Sequence, residues 1–448
     1  NQNKSRAYLF PRSTDDVMNV PIEELPRLRW DWGNLTLHST LAKRMAAHQA
    51  DCSLDMAEFI YRNRFGLGSD LHVYANALCV AMTQGYRVVT HRQWIYLDKV
   101  ACADVNSPST MACYFPTIEM KCGESDVRMH EQLKKNMTKL YSGGGNIGLY
   151  CKSIQEDYTA SEIRTAVTEF MFTGISSVVV TEARRQLYKV FGPNGPPDDL
   201  ITVHIRWGDK GAEMRLATIS EYIDAVRSFL PSDDATAHVY VATEDPRALT
   251  QFLDHAPPTW TVYVDAYFDQ FMSNRLEGYN GNPRMSVQLK GSPGLVALSA
   301  LLVAMEASDY VLTTGSNWSR LMNELRVSVL TPRMPSRLPR LADLRPDSSE
   351  RKETAAARKR IVEDQANAEQ AASSAMIQIT PMNMNSSQDD MISATGELVS
   401  LSTNGTDDSI VEDVAPLDIH EVGEEEEEET EEENRNSALA AAVGHSNQ

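Results

Sequence analysis

From Leu200 onward, apolar strand-like runs alternate with helix-patterned stretches, and that alternation is what most restricts the fold. Strands are expected at 200–206, 238–243, 261–265, 310–314 and 327–330, and helices at 219–230, 246–254, 293–307 and 316–326. Strand and helix in turn predict a parallel sheet with crossover helices. The first run, LITVHI, is apolar or β-branched at nearly every position, as suits a strand buried on both faces. This architecture binds nucleotides often, but not by necessity.

Each of three expected strands ends in a polar cluster. His204, Arg206, Asp209 and Lys210 follow the first, with Gly208 and Gly211 letting the chain bend. Thr243, Glu244 and Asp245 follow the second, before Pro246, and residues 313–319 follow a third, including Ser316 and Asn317. Ligands of open α/β sheets bind beyond the carboxyl ends of strands, and arginine clamps phosphate with two parallel charge-assisted hydrogen bonds. A solvated ion-pair network explains any one cluster equally well, and Asp245 and Ser316 are good helix caps in their own right. Three clusters on one sheet edge are harder to dismiss.

The residues before 200 are less regular. Positions 1–50 read as an irregular lead-in with Pro11, Pro21 and Pro26, followed by a helix from near Leu41 toward residue 64. In FGLGSDLH, Gly66 and Gly68 form a flexible turn beside His72, with a helix from Leu71 to Thr83 that Ser69 or Asp70 caps and Gly85 closes. Such a turn offers backbone N–H groups to an anion or sugar, although an ordinary loop-to-helix entry has the same sequence. Ser161 to Phe191 reads as one long helix, ended by GPNGPP. The expected organisation is a lead-in at 1–50, an α/β domain at 51–190, a Rossmann-like domain at 191–345 and a tail at 346–448.

All six cysteines fall within the first 151 residues, without CxxC spacing. Disulfides fit better than zinc, with connectivity unreadable, and Cys79 reads as a plain core thiol. Sequons at Asn34, Asn136 and Asn317 agree with secretion but also arise by chance. The chain begins with Asn1, so a signal or membrane anchor upstream is compatible with it.

Between positions 350 and 448 stand 23 acidic and 6 basic residues, leaving 39 and 36 in the first 349. The folded part is therefore nearly neutral and shows no basic stripe, which argues against nucleic-acid binding. The tail has no aromatic residue and an acidic run from Glu424 to Glu433, so it is expected to be disordered.

The ordered set HIRWGDK, EYI, VYVATEDP and SDYVLTTGSNWSRL resembles the GDP-fucose-dependent fucosyltransferases of the α1,6 core type and their bacterial nodulation relatives. FGLGSDLH resembles that family's N-terminal glycine turn. The resemblance spans roughly 55–335 and implies a GT-B-like fold, two Rossmann-like α/β domains facing a cleft. It also implies metal-independent, inverting transfer of L-fucose from GDP-β-L-fucose to a hydroxyl of a glycan or glycoprotein acceptor, N-glycans among them, in the Golgi or secretory lumen. No cofactor is implied beyond the donor.

Position by position, Arg206 matches the arginine that holds the donor's β-phosphate, and His204 and Lys210 match its neighbours. Asp209 matches the motif aspartate, and Tyr222 and Glu213 are further matches, the latter across a one-residue length difference. Glu244 and Asp245 match an acidic pair near the guanosine, Ser316 a serine near the diphosphate, and Asn317 is adjacent. Two departures stand out. Trp207 replaces a second arginine, and residues 294–302 supply no counterpart to an upstream aspartate.

The chemistry is coherent without a metal. Arg206, Lys210 and a helix N-terminus near Ser316 can stabilise a departing diphosphate, and a carboxylate, Glu213 before Asp209, can take the acceptor proton. For Asp209 an ion pair with a neighbouring cation is the competing reading. The alternative function is a catalytically silent relative that binds a nucleotide sugar or glycan.

Overall fold

The computed structural model describes residues 8–9 and 17–346, apart from 64, 92, 106, 134–136, 141–150, 152–153, 155–156, 213, 273–281 and 335–336. The expected disordered tail and Glu213 lie outside the described residues. The described residues belong to one compact unit.

In chain order the first elements are β1 (Tyr8–Leu9), α1 (Thr40–Gln49), β2 (Met56–Phe59), α2 (Leu67–Gln84), β3 (Arg87–Val89), α3 (Glu124–Leu133) and β4 (Thr138–Leu140). The helix expected to run toward residue 64 stops at Gln49. There Asp51 Oδ1 accepts hydrogen bonds from the backbone and hydroxyl of Ser53, turning the chain into β2. α2 begins four residues earlier than expected, with Gly66 itself as N-cap, and Gly85 closes it at φ 75°. β2, β3 and β4 form a parallel sheet in the order β3-β2-β4.

Three disulfides, Cys52–Cys122, Cys79–Cys151 and Cys102–Cys113, tie this half together. Cys79 is therefore not a free core thiol. Its partner lies 72 residues away, a distance over which spacing says nothing.

The long helix expected from Ser161 to Phe191 is two, α4 (Ala160–Phe172) and α5 (Ser177–Phe191), bent by 92°. Thr159 caps α4 in a reciprocal pair with Glu162. Between the helices Gly174 takes φ 84°, a conformation that stops α4, and Ser176 starts α5 by accepting a bond from the Val179 amide.

Beyond this bend come β5 (Ile201–Ile205), α6 (Ile219–Arg227), β6 (Ala237–Thr243), α7 (Pro246–His255), β7 (Trp260–Val264), α8 (Asn282–Gln288), α9 (Ser292–Ala304), β8 (Asp309–Leu312), α10 (Asn317–Leu325) and β9 (Arg340–Asp343). All six strands of the second sheet are parallel, in the order β1-β7-β6-β5-β8-β9. The fold is thus mixed α/β with two parallel sheets, as expected. Residues 327–330, expected as a strand, instead lie in the π-helical turn Arg326–Leu330 that prolongs α10. Its β-branched run covers the core on one side only, since Val329 and Leu330 are buried while Val327 is 40% exposed.

A single apolar cluster runs from Trp32 through α2, α4 and α5 to Leu330, so the two sheets share one core. Arg164 from α4, His72 from α2 and Glu324 from α10 meet inside it. Glu324 accepts a 2.7 Å bond from Thr168 and pairs with His72 at 3.2 Å and Arg164 at 3.5 Å. The pairing of β1 with β7 also makes Tyr8–Leu9 part of the large sheet rather than of a separate lead-in.

Candidate functional site

Strand order decides where a ligand can sit. β6 and β7 lie on one side of β5, while β8 lies on the other, so the connections diverge between β5 and β8 and leave a crevice beyond their carboxyl ends. A cleft of about 1190 Å³ opens at this rim. Its walls include Arg206 after β5, Glu244 and Asp245 after β6, Asp265 after β7, and Ser316 and Asn317 after β8, with Gly66, Gly68 and Ser69 facing them from the other half.

Two helix N-termini meet here. α2 starts at Gly66 and α10 at Ser316, and neither has a side-chain cap, so their first amides carry partial positive charge toward the crevice. Ser316 is 2% exposed, and its hydroxyl caps nothing. The helices touch directly: Asn317 Nδ2 donates to Ser69 Oγ at 2.6 Å, and a Cβ built on Gly68 would stand 3.2 Å from the Trp318 ring. Gly68 is glycine because the α10 backbone passes there, not because the chain needs a loose turn.

Arg206 and Lys210 are the cations of the β5 loop. Arg206 NH1 donates to the Trp207 carbonyl at 2.7 Å, which folds the side chain back over the loop and holds the guanidinium at the cleft. Trp207 turns its indole N–H to the Ala217 carbonyl at 2.8 Å and contributes its ring to the wall. Gly208, at φ 73°, makes the turn between Arg206 and Lys210.

His204 is 4% exposed, and its Nδ1 is hydrogen-bonded to Ser319 Oγ at 2.6 Å. Burial first, then the adjacent Arg206 charge, pushes this imidazole down to about 3. It enters the cleft as a neutral ring, not as part of a cationic cluster.

Asp245 is the N-cap of α7, accepting from the Arg247 and Ala248 amides, and it is ion-paired with Arg247 at 2.9 Å. Burial raises its carboxyl, but the bonds from Arg247 outweigh that and lower it. Its geometry is accounted for by capping. Glu244 beside it lines the cleft.

Tyr222 does not reach the cleft. It is fully buried on α6 within the core of the large sheet, because its helix turns its apolar face inward. His72 also lies off the cleft, bonded to the Gly68 carbonyl at 2.7 Å and to Glu324. The backbone of Asp209 lies in the turn Gly208–Ala212. Asn317, read as a possible glycosylation site, has its amide engaged with Ser69 and Arg320.

Sequence reasoning read Ser69 only as a helix cap and Trp318 only as part of the 313–319 cluster, and it did not single out Tyr96, Tyr267 or Asp265; all five line the cleft. Asp265 was accessible, since it directly follows the strand WTVYV just as Arg206 follows ITVHI. Tyr96 carries no such local signal. Among the described residues, no group of three or more His, Cys, Asp or Glu side chains is arranged to hold a metal ion.

No protein-family model matches the chain, and no curated protein matches it. Among solved structures it is similar to the selenomethionine form of the fucosyltransferase NodZ from Bradyrhizobium, with 14% identity and a TM-score of 0.33 over 60% of this chain and 92% of that one.

Proposed function

We propose that the chain is a glycosyltransferase that uses a nucleotide sugar, moving L-fucose from GDP-β-L-fucose to a glycan hydroxyl. The observation that carries this reading is the convergence of Arg206, Lys210, the unspent Ser316 hydroxyl and the uncapped N-termini of α2 and α10 on one crevice at the strand switch point. Those groups supply positive potential where a diphosphate would leave, with no metal needed to neutralise it. Motif order in the sequence supports GDP-fucose as the donor, α1,6 linkage, inversion, and N-glycan acceptors. Three disulfides support work in the lumen of the secretory pathway, the Golgi included.

Within this scheme Arg206 grips the β-phosphate, and Lys210 and Ser316 complete the anion site. His204, held neutral, serves as a hydrogen-bonding partner. Glu213 is the proposed base and Asp209 its alternate. Trp207 at the lip, where the resemblance has arginine, favours one competing reading: a relative that binds the nucleotide sugar without turning it over.

Titration of GDP, and transfer and hydrolysis assays with GDP-fucose, test both on the wild type beside Arg206→Ala. Loss of GDP binding and turnover together in Arg206→Ala is the expected result. GDP binding without turnover in the wild type selects the silent relative, and unchanged GDP binding in Arg206→Ala removes Arg206 from the scheme.

A further inference from the structure

At the carboxyl end of β7, Asp265 is 6% exposed and lines the cleft. Its two oxygens are in different situations. Oδ1 accepts from the Tyr240 hydroxyl at 3.0 Å and from the Tyr267 amide at 2.9 Å, which occupies both of its lone pairs. Oδ2 has no hydrogen-bond partner among the described residues. Tyr240 is fully buried, so the carboxyl is fixed from beneath by the core and from the side by its own loop. Asp265 caps the helical turn that follows through its carbonyl, which accepts from the Asp269 amide, and through Oδ1, which accepts from the Tyr267 amide; Oδ2 takes no part in this. An acceptor held this firmly, nine-tenths buried and open only toward the cleft, is arranged for a hydrogen-bond donor on a ligand.

Its position on the rim says which part of a ligand it meets. Strands in a sheet are spaced by about 4.8 Å, so the end of β7 stands about 10 Å from the end of β5 and Arg206. The other half of the protein docks on the opposite flank, at β8, through Ser69 with Asn317 and Gly68 with Trp318. A transferred group must face that half to meet an acceptor. The nucleoside is then left to lie across β6 and β7, toward Asp265.

We propose that Asp265 is a ligand-binding residue whose Oδ2 accepts a hydrogen bond from the nucleoside moiety of the bound nucleotide. The inference rests on the nucleotide-sugar reading above. The hydrogen comes either from a ribose hydroxyl or from an N–H of the base.

Asp265→Asn is the informative variant. Tyr240 and Tyr267 both donate to one oxygen, so the amide oxygen stays with them and the NH₂ group turns to the cleft, presenting a donor where the ligand needs an acceptor. Calorimetric titration of wild type, Asp265→Asn and Asp265→Ala with GDP, 2′,3′-dideoxy-GDP and inorganic diphosphate reads the effect. Thermal melts confirm that each variant is folded, and Asp265→Asn retains both internal bonds.

The expected result is a loss of about tenfold or more in GDP affinity for Asp265→Asn, with diphosphate affinity unchanged. If that loss disappears with the dideoxy nucleotide, the ribose is the partner; if it persists, the base is. GDP affinity equal to wild type in a folded Asp265→Asn, while Arg206→Ala loses GDP, overturns this assignment and leaves the nucleotide-sugar reading standing. An equal loss for diphosphate also overturns it, because the effect is then general to the anion site. A wild type that binds no GDP removes the nucleotide-sugar reading, and this assignment with it.

Discussion

Asn317 of α10 donates its side-chain amide to Ser69 Oγ of α2 across 2.6 Å, joining the first turns of two helices that are 248 residues apart in sequence. Trp318 lies against Gly68 in the same contact, with its ring and backbone amide within 3.3 Å of where a Cβ would stand. Gly68, Ser69, Asn317 and Trp318 all line the cleft. Gly68→Val is expected to push Trp318 aside and cost about 1–3 kcal/mol, as overpacked sites do. Asn317→Ala, which removes the bonds to Ser69 and Arg320 without crowding the contact, is expected to cost about 1–2 kcal/mol. Urea denaturation gives both numbers, and a Gly68→Val midpoint at or above wild type would show that the helices do not pack this closely.

Glu324 ties the same helices together one layer deeper. It pairs with His72 and Arg164 and accepts a bond from Thr168, and both its own side chain and that of Arg164 are buried. Removing one member of a buried charge network leaves the others uncompensated, so Glu324→Ala is expected to destabilise the fold by about 3–5 kcal/mol. Glu324→Gln, which keeps the shape and the Thr168 contact, should lose less. Equal midpoints for Glu324→Ala and wild type in guanidinium would contradict the structure at this point.

Asp70, in the first turn of α2, accepts one bond from Trp94 Nε1 at 2.9 Å and is otherwise surrounded by the core. Burial pushes its carboxyl up to about 7, against an ordinary value of 3.8, and the Trp94 bond only partly offsets that. A carboxyl raised by folding binds its proton more tightly in the folded state. Its contribution is therefore fully present below about pH 4 and is lost as pH rises through about 7. Relative to Asp70→Asn, which cannot titrate, wild-type stability should fall by at most about 1.4 kcal/mol per pH unit between those limits. Parallel melting curves for the two proteins from pH 4.5 to 7.5 check this, and a constant difference between them rules it out.

What could be read from sequence follows the range over which each signal acts. The strands at 201–205, 237–243, 260–264 and 309–312 and the cap at Asp245 are set by neighbours a few residues away, and the expected positions agree within a residue or two. The rim residues Arg206, Glu244 and Ser316 follow from those strands, because a parallel sheet brings all carboxyl ends to one edge. Errors arose where a tertiary contact overrode a local pattern. Residues 327–330 look like a strand by β-branching alone, yet they continue α10 because Val329 and Leu330 complete the shared core. Gly68 looks like turn glycine, but its reason is Trp318, 250 positions away. Tyr222, which the resemblance matches to the donor site, is buried in the core on the apolar face of α6.

Trp207 provides the sharpest test of how the anion site is built. Its indole N–H is bonded to the Ala217 carbonyl, its ring walls the cleft, and its carbonyl accepts from Arg206. On the proposed reading, Trp207→Arg adds a guanidinium beside the diphosphate. A charge-assisted hydrogen bond contributes about 1.5–3 kcal/mol, so GDP affinity should rise by about tenfold or more at low ionic strength. The gain should shrink as salt is added, since the lip is open to solvent. The fold should weaken at the same time, because the bond to Ala217 and part of the ring packing are lost. Trp207→Phe separates the two effects: it removes the N–H without adding charge, so it should melt earlier while GDP affinity stays at the wild-type level. Titrations of all three proteins with GDP at low and high salt decide the matter, and a Trp207→Arg affinity no better than that of Trp207→Phe at either salt would mean that position 207 does not face the phosphates.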